Sequence, residues 1–248
     1  MKKLLIATAL ISSFSAMTQA ETAELTMDGE FGFIFTTGNT ETTSASAGLT
    51  IKQELEEWSN EFAIQGLYKQ DQVTVGQGDD AEDVEQTTAQ KIFASGQGNY
   101  KLENPDHRIF VFGSYEDDRF SNFKSQSTIA VGWNQKVWED DVSSFDYSVG
   151  PGYSFAETQA GEDFDSVIVR GAFNYTRTIS ETSKFTQTFS TEIGSDNTKS
   201  RAESALTAQI NGSLSMKLSV RLDHNSDVAD DLDNLDTETA VTLVYSFF

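Results

Sequence analysis

The chain has no cysteine, two prolines and few basic residues. Its 248 residues include 17 Lys and Arg against 39 Asp and Glu. Without cysteine there are no disulfides, thiolate metal sites or cysteine nucleophiles. Basic residues are also not clustered, which argues against a nucleic acid partner, because binding phosphates requires Lys and Arg to displace counterions. After residue 20 no run approaches the roughly 18 apolar residues of a transmembrane helix.

The first 20 residues have the pattern of a secretory signal peptide. Two lysines precede a largely apolar segment, residues 4–17, and Thr18-Gln19-Ala20 ends it with a small residue. The apolar segment is too short, and too rich in serine, to span a membrane as a helix. We therefore predict that residues 1–20 are removed. Residues 21–248 contain no linker or shift in composition and are predicted to form one domain.

What the chain does contain is apolar residues at every second position. Phe31, Phe33 and Phe35 share one face of a predicted strand, and Thr37-Gly38-Asn39-Thr40 separates it from the next alternating run. Gly-Asn tolerates the positive φ values that a tight hairpin turn requires. The alternation continues to the end of the chain and predicts about twelve strands. An even number of strands is typical of bacterial outer-membrane barrels.

The predicted connections alternate in length and charge. The short set comprises residues 53–60, 103–107, 139–142, 180–183 and 213–217. The longer, mostly acidic set comprises residues 72–86, 117–123, 157–163 and 227–236. Short turns on one rim and longer loops on the other are the arrangement of a membrane barrel with periplasmic turns and extracellular loops.

The contents of the two predicted faces favour a membrane barrel over a soluble periplasmic β-sandwich binding module. Aromatic residues concentrate near strand ends, where amphipathic rings suit the headgroup level of a membrane. These residues are Tyr68, Tyr100, Tyr115, Trp133, Trp138, Tyr153, Phe155, Tyr175 and Tyr245. We predict an all-β fold, a transmembrane antiparallel up-and-down β-barrel of about twelve strands in the cell outer membrane.

The polar face carries charges of both signs, which can pair across a confined interior. The residues predicted to line the lumen are Lys69, Lys91, Lys136, Asp146, Arg170, Glu192, Glu203, Arg221 and Asp223. Whether they line an open pore or form a plug of salt bridges stays open, because a barrel of this size lies between filled and open cases. A pore predicts ion conductance that changes when Lys136, Arg170 or Arg221 is replaced.

Two strands depart from simple alternation. Phe110 and Phe112 stand opposite Ile109 and Val111, so that strand is apolar on both faces. Gly150-Pro151-Gly152 interrupts another strand and predicts a bulge or bend, because proline cannot donate to a ladder.

No motif points to catalysis, a cofactor or a metal centre. His107 follows Asn104-Pro105-Asp106 in a predicted turn, and the phase of its strand puts His224 on the lipid side. A lipid-modifying outer-membrane enzyme using His224 is the alternative from another class. The acidic loops at residues 79–85 and 227–236 lack EF-hand spacing, but divalent cations could bridge them to lipopolysaccharide phosphates.

The chain resembles the YdiY-like family of salt-induced outer membrane proteins, formerly a domain of unknown function. The resemblance rests on Thr37-Gly38-Asn39-Thr40, the Ser/Ala/Gly-rich strand after it, and the ending Val244-Tyr245-Ser246-Phe247. It implies an outer-membrane barrel connected with salt or osmotic response and supplies no catalytic residues. The last strand resembles the signal by which such barrels reach their assembly machinery. The leading functional hypothesis is a narrow channel or an envelope structural protein.

Overall fold

The computed structural model describes residues 24–36, 42–75, 82–121, 123–195, 197–228 and 233–248. The predicted signal peptide and the turn at residues 37–40 lie outside these ranges. None of the described residues forms a helix with the length and apolar character needed to cross a membrane.

Twelve β-strands account for most of the described residues. They are β1 (Glu24–Thr36), β2 (Thr42–Glu54), β3 (Trp58–Val75), β4 (Glu82–Lys101), β5 (His107–Asp118), β6 (Phe123–Glu139), β7 (Ser143–Thr158), β8 (Asp163–Ser180), β9 (Ser183–Gly194), β10 (Thr198–Gln209), β11 (Leu214–Asn225) and β12 (Leu235–Ser246).

The strands form one closed antiparallel sheet. Each strand pairs with its neighbours in sequence, and β1 pairs with β12 to close the barrel. At this closure Asp28 lies opposite Ser246 and Phe31 opposite Leu243. Closure leaves no edge strand with unpaired backbone groups, which is the condition for a sheet in lipid. The predicted fold class and strand number are therefore confirmed.

The connections define two rims. We call the end with connections at residues 55–57, 102–106, 140–142, 181–182 and 210–213 the turn rim, and the opposite end the loop rim. In one tight turn the Asp140 carboxylate accepts the backbone N–H groups of Val142 and Ser143, each at 2.8 Å. These hydrogen bonds hold the pKa of Asp140 below its usual value, because they stabilise the ionised form.

The prediction of a long connection at residues 72–86 is wrong. Residues 72–86 are mostly strand, because β3 continues to Val75 and β4 begins at Glu82. β2 pairs with β3 only as far as Asp71, and β5 pairs with β4 only from Lys91. The outer parts of β3 and β4 therefore form a two-stranded ribbon beyond the loop rim. Their polar sequence hides the alternation that marks the other strands.

The outward face of the barrel is an extensive apolar surface. Its exposed residues include Phe31, Phe33, Ile64, Ile92, Val111, Ile129, Val131, Val167, Val169, Ile193, Leu218, Val241 and Leu243. Soluble proteins rarely expose contiguous apolar patches of this extent. A band of this kind around a closed barrel is the surface that outer-membrane barrels present to lipid.

The inward face, which is mainly polar in the described part of the chain, includes a small apolar cluster. It consists of Phe110, which is fully buried, Phe112 and Ala130. Phe110 and Phe112 thus point inward, whereas Ile109 and Val111 on the same strand are exposed on the outside. Aromatic rings thicken this wall and narrow the lumen beside it.

The glycines around Pro151 allow two strands to approach closely. A Cβ at Gly150 would lie 2.1 Å from the Val131 carbonyl oxygen, and one at Gly132 would lie 3.0 Å from the Phe110 ring. The predicted bulge is absent at this position, since Ala130–Gly152 and Trp133–Val149 keep one register on either side. The glycines of Gly150-Pro151-Gly152 therefore allow β7 to pack closely against β6.

Gly150→Ala is expected to destabilise the barrel by roughly 1–3 kcal/mol, because the new methyl overpacks the β6–β7 contact. The matched control is Gly113→Ala, where the nearest atom to an added Cβ is 4.0 Å away. Urea unfolding in detergent, followed by gel migration of unheated protein, measures both variants. Equal stability of the two would contradict the packing argument.

Candidate functional site

Contacts between strands that are not neighbours identify the interior of the barrel. Lys91 on β4 contacts Asp223 on β11, and Arg201 on β10 contacts Glu116 on β5. In the closed strand order, four strands separate the pair β4–β5 from the pair β10–β11 in either direction. These contacts therefore join opposite walls and must pass through the lumen.

Six charged residues form what we call the cross-lumen cluster: Lys91, Glu116, Asp118, Lys199, Arg201 and Asp223. At its centre Glu116 pairs with Arg201 at 2.8 Å and with Lys91 and Lys199 at 3.4 Å each. Asp223 binds Arg201 by a short charge-assisted hydrogen bond and Lys91 at 3.3 Å. Asp118 lies 3.7 Å from Lys91. Three positive and three negative side chains thus neutralise one another across the lumen.

The strand register explains how these residues come together. Lys91 lies directly opposite Asp118 in the β4–β5 ladder, and Arg201 lies opposite Asp223 in the β10–β11 ladder. Each wall therefore presents its own cross-strand ion pair on the inward face, and the two pairs meet near the loop rim. Opposite charges at directly paired positions stabilise antiparallel strands.

A second group of charges follows the wall beside the cross-lumen cluster. Lys217 pairs with Glu203 at 2.9 Å and with Glu30 at 3.1 Å, and Arg221 binds Glu203 at 2.7 Å. Since β12 lies between β1 and β11, these contacts line one side of the interior without crossing it.

A third group surrounds Arg170 on β8. Its guanidinium carbon lies 3.7 Å from the centroid of the Phe112 ring on β5. Its Nε lies 3.7 Å from a carboxylate oxygen of Glu192, whose other oxygen accepts a hydrogen bond from Thr128 at 2.7 Å. This group also joins non-neighbouring strands and therefore lies inside the barrel.

Two cavities formed by described residues of the interior lie on either side of Arg201. The larger has a volume of about 220 Å³, and its lining includes Glu61, Phe112, Arg170 and Arg201. The smaller has a volume of about 50 Å³ and lies toward β1–β3. Arg201 stacks over Phe93 at 4.7 Å, and both residues line both cavities. The Arg201–Phe93 contact therefore partitions the lumen.

The charged side chains of the interior differ in solvent exposure. The Lys52–Glu61 pair near the turn rim has side chains that are 59% and 47% exposed. The side chains of the cross-lumen cluster are only 10–21% exposed. The cross-lumen cluster is therefore buried, as are Lys101 and Arg108 near the turn rim, whose side chains are 13% and 10% exposed.

The structure distributes the nine residues predicted to line the lumen among several groups. Lys91 and Asp223 belong to the cross-lumen cluster, Glu203 and Arg221 to the wall group, and Arg170 pairs with Glu192. The other three predicted residues lie apart from these groups and from one another: Lys69 pairs with Asp71, Lys136 with Glu139, and Asp146 accepts a hydrogen bond from Asn174 at 3.1 Å.

Sequence reasoning missed the centre of the cross-lumen cluster. Arg201 and Lys199 were not among the predicted lining residues, because the apolar row of their strand begins only at Leu206, while β10 begins at Thr198. Glu116 was missed because it falls at the end of β5 beside an acidic connection. The spacing of two residues could have identified them: Lys199 and Arg201 lie on the same face of the strand as Glu203, which is predicted to face the lumen.

The two histidines and the acidic residues do not form an evident reaction centre. His107 begins β5, with its ring 5.1 Å from Trp133. His224 lies opposite Ser200 and Leu235, in phase with the exposed Leu218 and Leu222. Among the described residues, no group of three His, Asp or Glu side chains is placed to hold a metal ion.

Most of the chain matches a known protein family. The family described as "Protein of unknown function, DUF481" matches residues 29–247. The chain belongs to the DUF481 family. The match spans most of the barrel, from β1 to the residue after β12. The chain is also 25% identical over 240 residues to "Uncharacterized protein YdiY" of Escherichia coli strain K12, covering 95% of this chain and 89% of that protein. The predicted resemblance to the YdiY-like family is confirmed.

Solved structures share the fold of this DUF481 protein. The NanC porin is similar with a TM-score of 0.52 and 9% identity, covering 88% of this chain and 98% of that one. The outer membrane channel DcaP of Acinetobacter baumannii has a TM-score of 0.41 and 11% identity, with coverage of 91% and 97%. The likeness to the NanC porin and the closed twelve-strand sheet together show an outer-membrane-type barrel fold, in agreement with the predicted location in the cell outer membrane.

Proposed function

We propose that this protein is a narrow outer-membrane channel for small hydrophilic solutes, with the cross-lumen cluster as its constriction. The observation that carries the proposal is the contact of Arg201 and Lys91 with acidic residues on the opposite wall. Such contacts require the two walls to lie within the combined reach of one basic and one acidic side chain. A lumen of that width admits small solutes only.

The distribution of space and charge supports a path rather than a solid core. The 220 Å³ cavity lies between the cross-lumen cluster and the Lys52–Glu61 pair near the turn rim, whose side chains are about half exposed. Closure at the cluster depends on side chains and ion pairs, which exchange partners more readily than backbone. Because the cluster has equal numbers of positive and negative groups, we expect weak selectivity between cations and anions.

An envelope structural protein is the second candidate. It is favoured by the same ties between opposite walls, since a barrel braced from inside resists deformation. An enzyme is not proposed: His224 lies on the outward face, and the NanC protein with a similar fold is a porin.

The proposal includes two kinds of partner for the barrel: lipopolysaccharide, bound through divalent cations, and the barrel assembly machinery. The acidic loops at residues 79–85 and 227–236 are proposed to bind divalent cations that bridge to lipopolysaccharide phosphates. The C-terminal strand is proposed to engage the barrel assembly machinery, and the backbone N–H of Phe247 extends its pairing to Met27 at 2.9 Å. The connection with salt or osmotic response stays a prediction.

Arg201→Ser combined with Asp223→Ser is expected to raise single-channel conductance several-fold over the low wild-type value. The double substitution removes one charge of each sign, and it leaves Glu116 paired with Lys91 and Lys199. Planar bilayer recordings of refolded protein measure the conductance. The matched control is Lys136→Ser with Glu139→Ser. The sequence predicted that replacing Lys136 changes conductance, but the structure places this balanced pair at the turn rim, away from the cross-lumen cluster, so the control should leave conductance near wild type.

Silent bilayers for both wild type and the Arg201/Asp223 variant, with correctly folded protein, would contradict the channel proposal and leave the structural role. An equal rise for the turn-rim control would instead remove the cross-lumen cluster as the constriction.

A further inference from the structure

Arg170 is a deeply buried cation in the wall of the larger cavity. The residue is 6% exposed, and one face of its guanidinium is covered by the Phe112 ring at 3.7 Å. A guanidinium held flat against an aromatic ring is fixed in orientation and keeps the donors along its edge available. Arg170 is therefore a positioned donor group.

The hydrogen-bonding capacity of Arg170 is largely unused by its neighbours. Its Nε has no hydrogen-bond partner within the described part of the chain. The Glu192 oxygen lies 3.7 Å from that Nε, beyond hydrogen-bond distance, and Thr128 holds the other oxygen of Glu192. The remaining contact, from Nη1 to Ser148 Oγ, is long at 3.5 Å. Buried donors without acceptors are costly, so this arrangement favours an additional acceptor.

The cavity in front of Arg170 suits a small polar organic anion. Arg170, Lys199 and Arg201 line it together with Glu61 and Glu192, which gives a net charge of 3 − 2 = +1. The remaining lining is dominated by hydroxyl and amide side chains: Ser95, Gln97, Ser114, Ser148, Asn174, Thr188 and Ser190. Its volume of about 220 Å³ is smaller than a site for a drug-sized ligand.

We propose that Arg170 anchors a solute subsite in the lumen that binds the carboxylate of a small hydroxylated organic acid, about the size of a sugar acid. The proposal rests on the channel function and names the class of solute for it. A planar carboxylate matches the planar guanidinium edge in a bidentate pair. The hydroxyl and amide residues then bind the hydroxyl groups of the solute, and the aromatic side chains that also line the cavity, Phe93, Phe112 and Phe189, bound its apolar part.

The charge of the cavity selects against other solutes. A neutral sugar leaves the unused donors of Arg170 without a charged acceptor. A dianion meets Glu61 and Glu192 after the single net positive charge has been neutralised. The geometry therefore favours a monocarboxylate.

Isothermal titration calorimetry of the refolded full chain in detergent at low salt tests the subsite, with D-glucuronate as probe and D-glucose as neutral control. We expect glucuronate to bind and glucose to bind at least about tenfold more weakly, as for loss of a charge-assisted hydrogen bond. Equal binding of the two sugars, or no heat of binding for glucuronate, would overturn the proposal.

Two variants are expected to change the affinity for glucuronate in opposite directions. Arg170→Lys keeps the charge and removes the bidentate edge, and it is expected to weaken glucuronate binding by about tenfold. Glu192→Gln removes the competing carboxylate and is expected to strengthen binding several-fold. If Arg170→Lys fails to fold, Glu192→Gln alone decides, and unchanged or weaker binding by it overturns the subsite.

Failure of the subsite and failure of the channel give different results. Glucuronate binding without conductance in planar bilayers would retain the subsite and remove the channel. Conductance without glucuronate binding would retain the channel and remove the subsite.

Discussion

Glu116→Ala is expected to lower the free energy of unfolding by about 3–5 kcal/mol, the usual cost of removing one partner from a buried ion pair. Glu116 is 8% exposed and pairs with Lys91, Lys199 and Arg201. Its loss leaves three cations facing two carboxylates in a confined space. Of the three, Lys199 loses the only ion-pair partner that it has within the described residues.

The matched control is Glu139→Ala at the turn rim. Glu139 pairs with a lysine in the same way, but its side chain is 59% exposed, so the loss should be below about 1 kcal/mol. Urea titrations in lipid vesicles, followed by tryptophan fluorescence, measure both variants. A loss for Glu116→Ala as small as that of the control would mean that water screens the cross-lumen cluster.

The fold was predictable because alternation is a local property of the chain. A period of two assigns each residue to a face without knowledge of its partners, and apolar rows such as Leu218, Val220 and Leu222 mark a strand by themselves. A closed membrane barrel is predicted from about twelve such rows, from the charges on the opposite face of the strands, and from the aromatic residues at the end of the last strand. The outer parts of β3 and β4 were missed because they are mostly polar, and their few apolar residues, Val73, Val75 and Val84, are flanked by a strongly acidic run.

The cross-lumen cluster was not predictable in the same way, because it depends on which strands face each other across the barrel. Alternation identifies Lys91 and Asp223 as inward, but only closure of the sheet and its register bring the Lys91 Nζ to within 3.3 Å of an Asp223 carboxylate oxygen. Phe110 and Phe112 illustrate the same limit. A strand that is apolar on both faces does not reveal from sequence which row meets lipid and which fills the lumen.

The two faces of this barrel place different side chains in different surroundings: charged side chains in the lumen and apolar side chains on the exterior. Inside, buried charges are tolerated because each has partners on a neighbouring or an opposite strand. Outside, no partner exists, and the apolar side chains must match the surrounding medium. The functional proposals for the lumen therefore depend on the exterior being in contact with lipid.

Val111→Arg is expected to lower the free energy of folding into lipid vesicles by about 2–4 kcal/mol, the cost of an arginine on the lipid face near the bilayer midplane. Val111 lies near the middle of β5, points outward and is 59% exposed. Val142→Arg is the matched control: the same substitution at a residue that is 52% exposed, in a turn at the turn rim. There the cost should be about 0–1 kcal/mol, because the side chain lies near the interface.

Denaturant titration of both variants in vesicles of dilauroylphosphatidylcholine measures the difference. In water, arginine at an exposed strand position costs little, so a soluble barrel would tolerate both substitutions equally. A difference of more than about 1 kcal/mol between them therefore requires the middle of the outward face to lie in hydrocarbon. Equal, small effects would remove the lipid-facing assignment, and with it the argument that the polar interior is the only path for solutes.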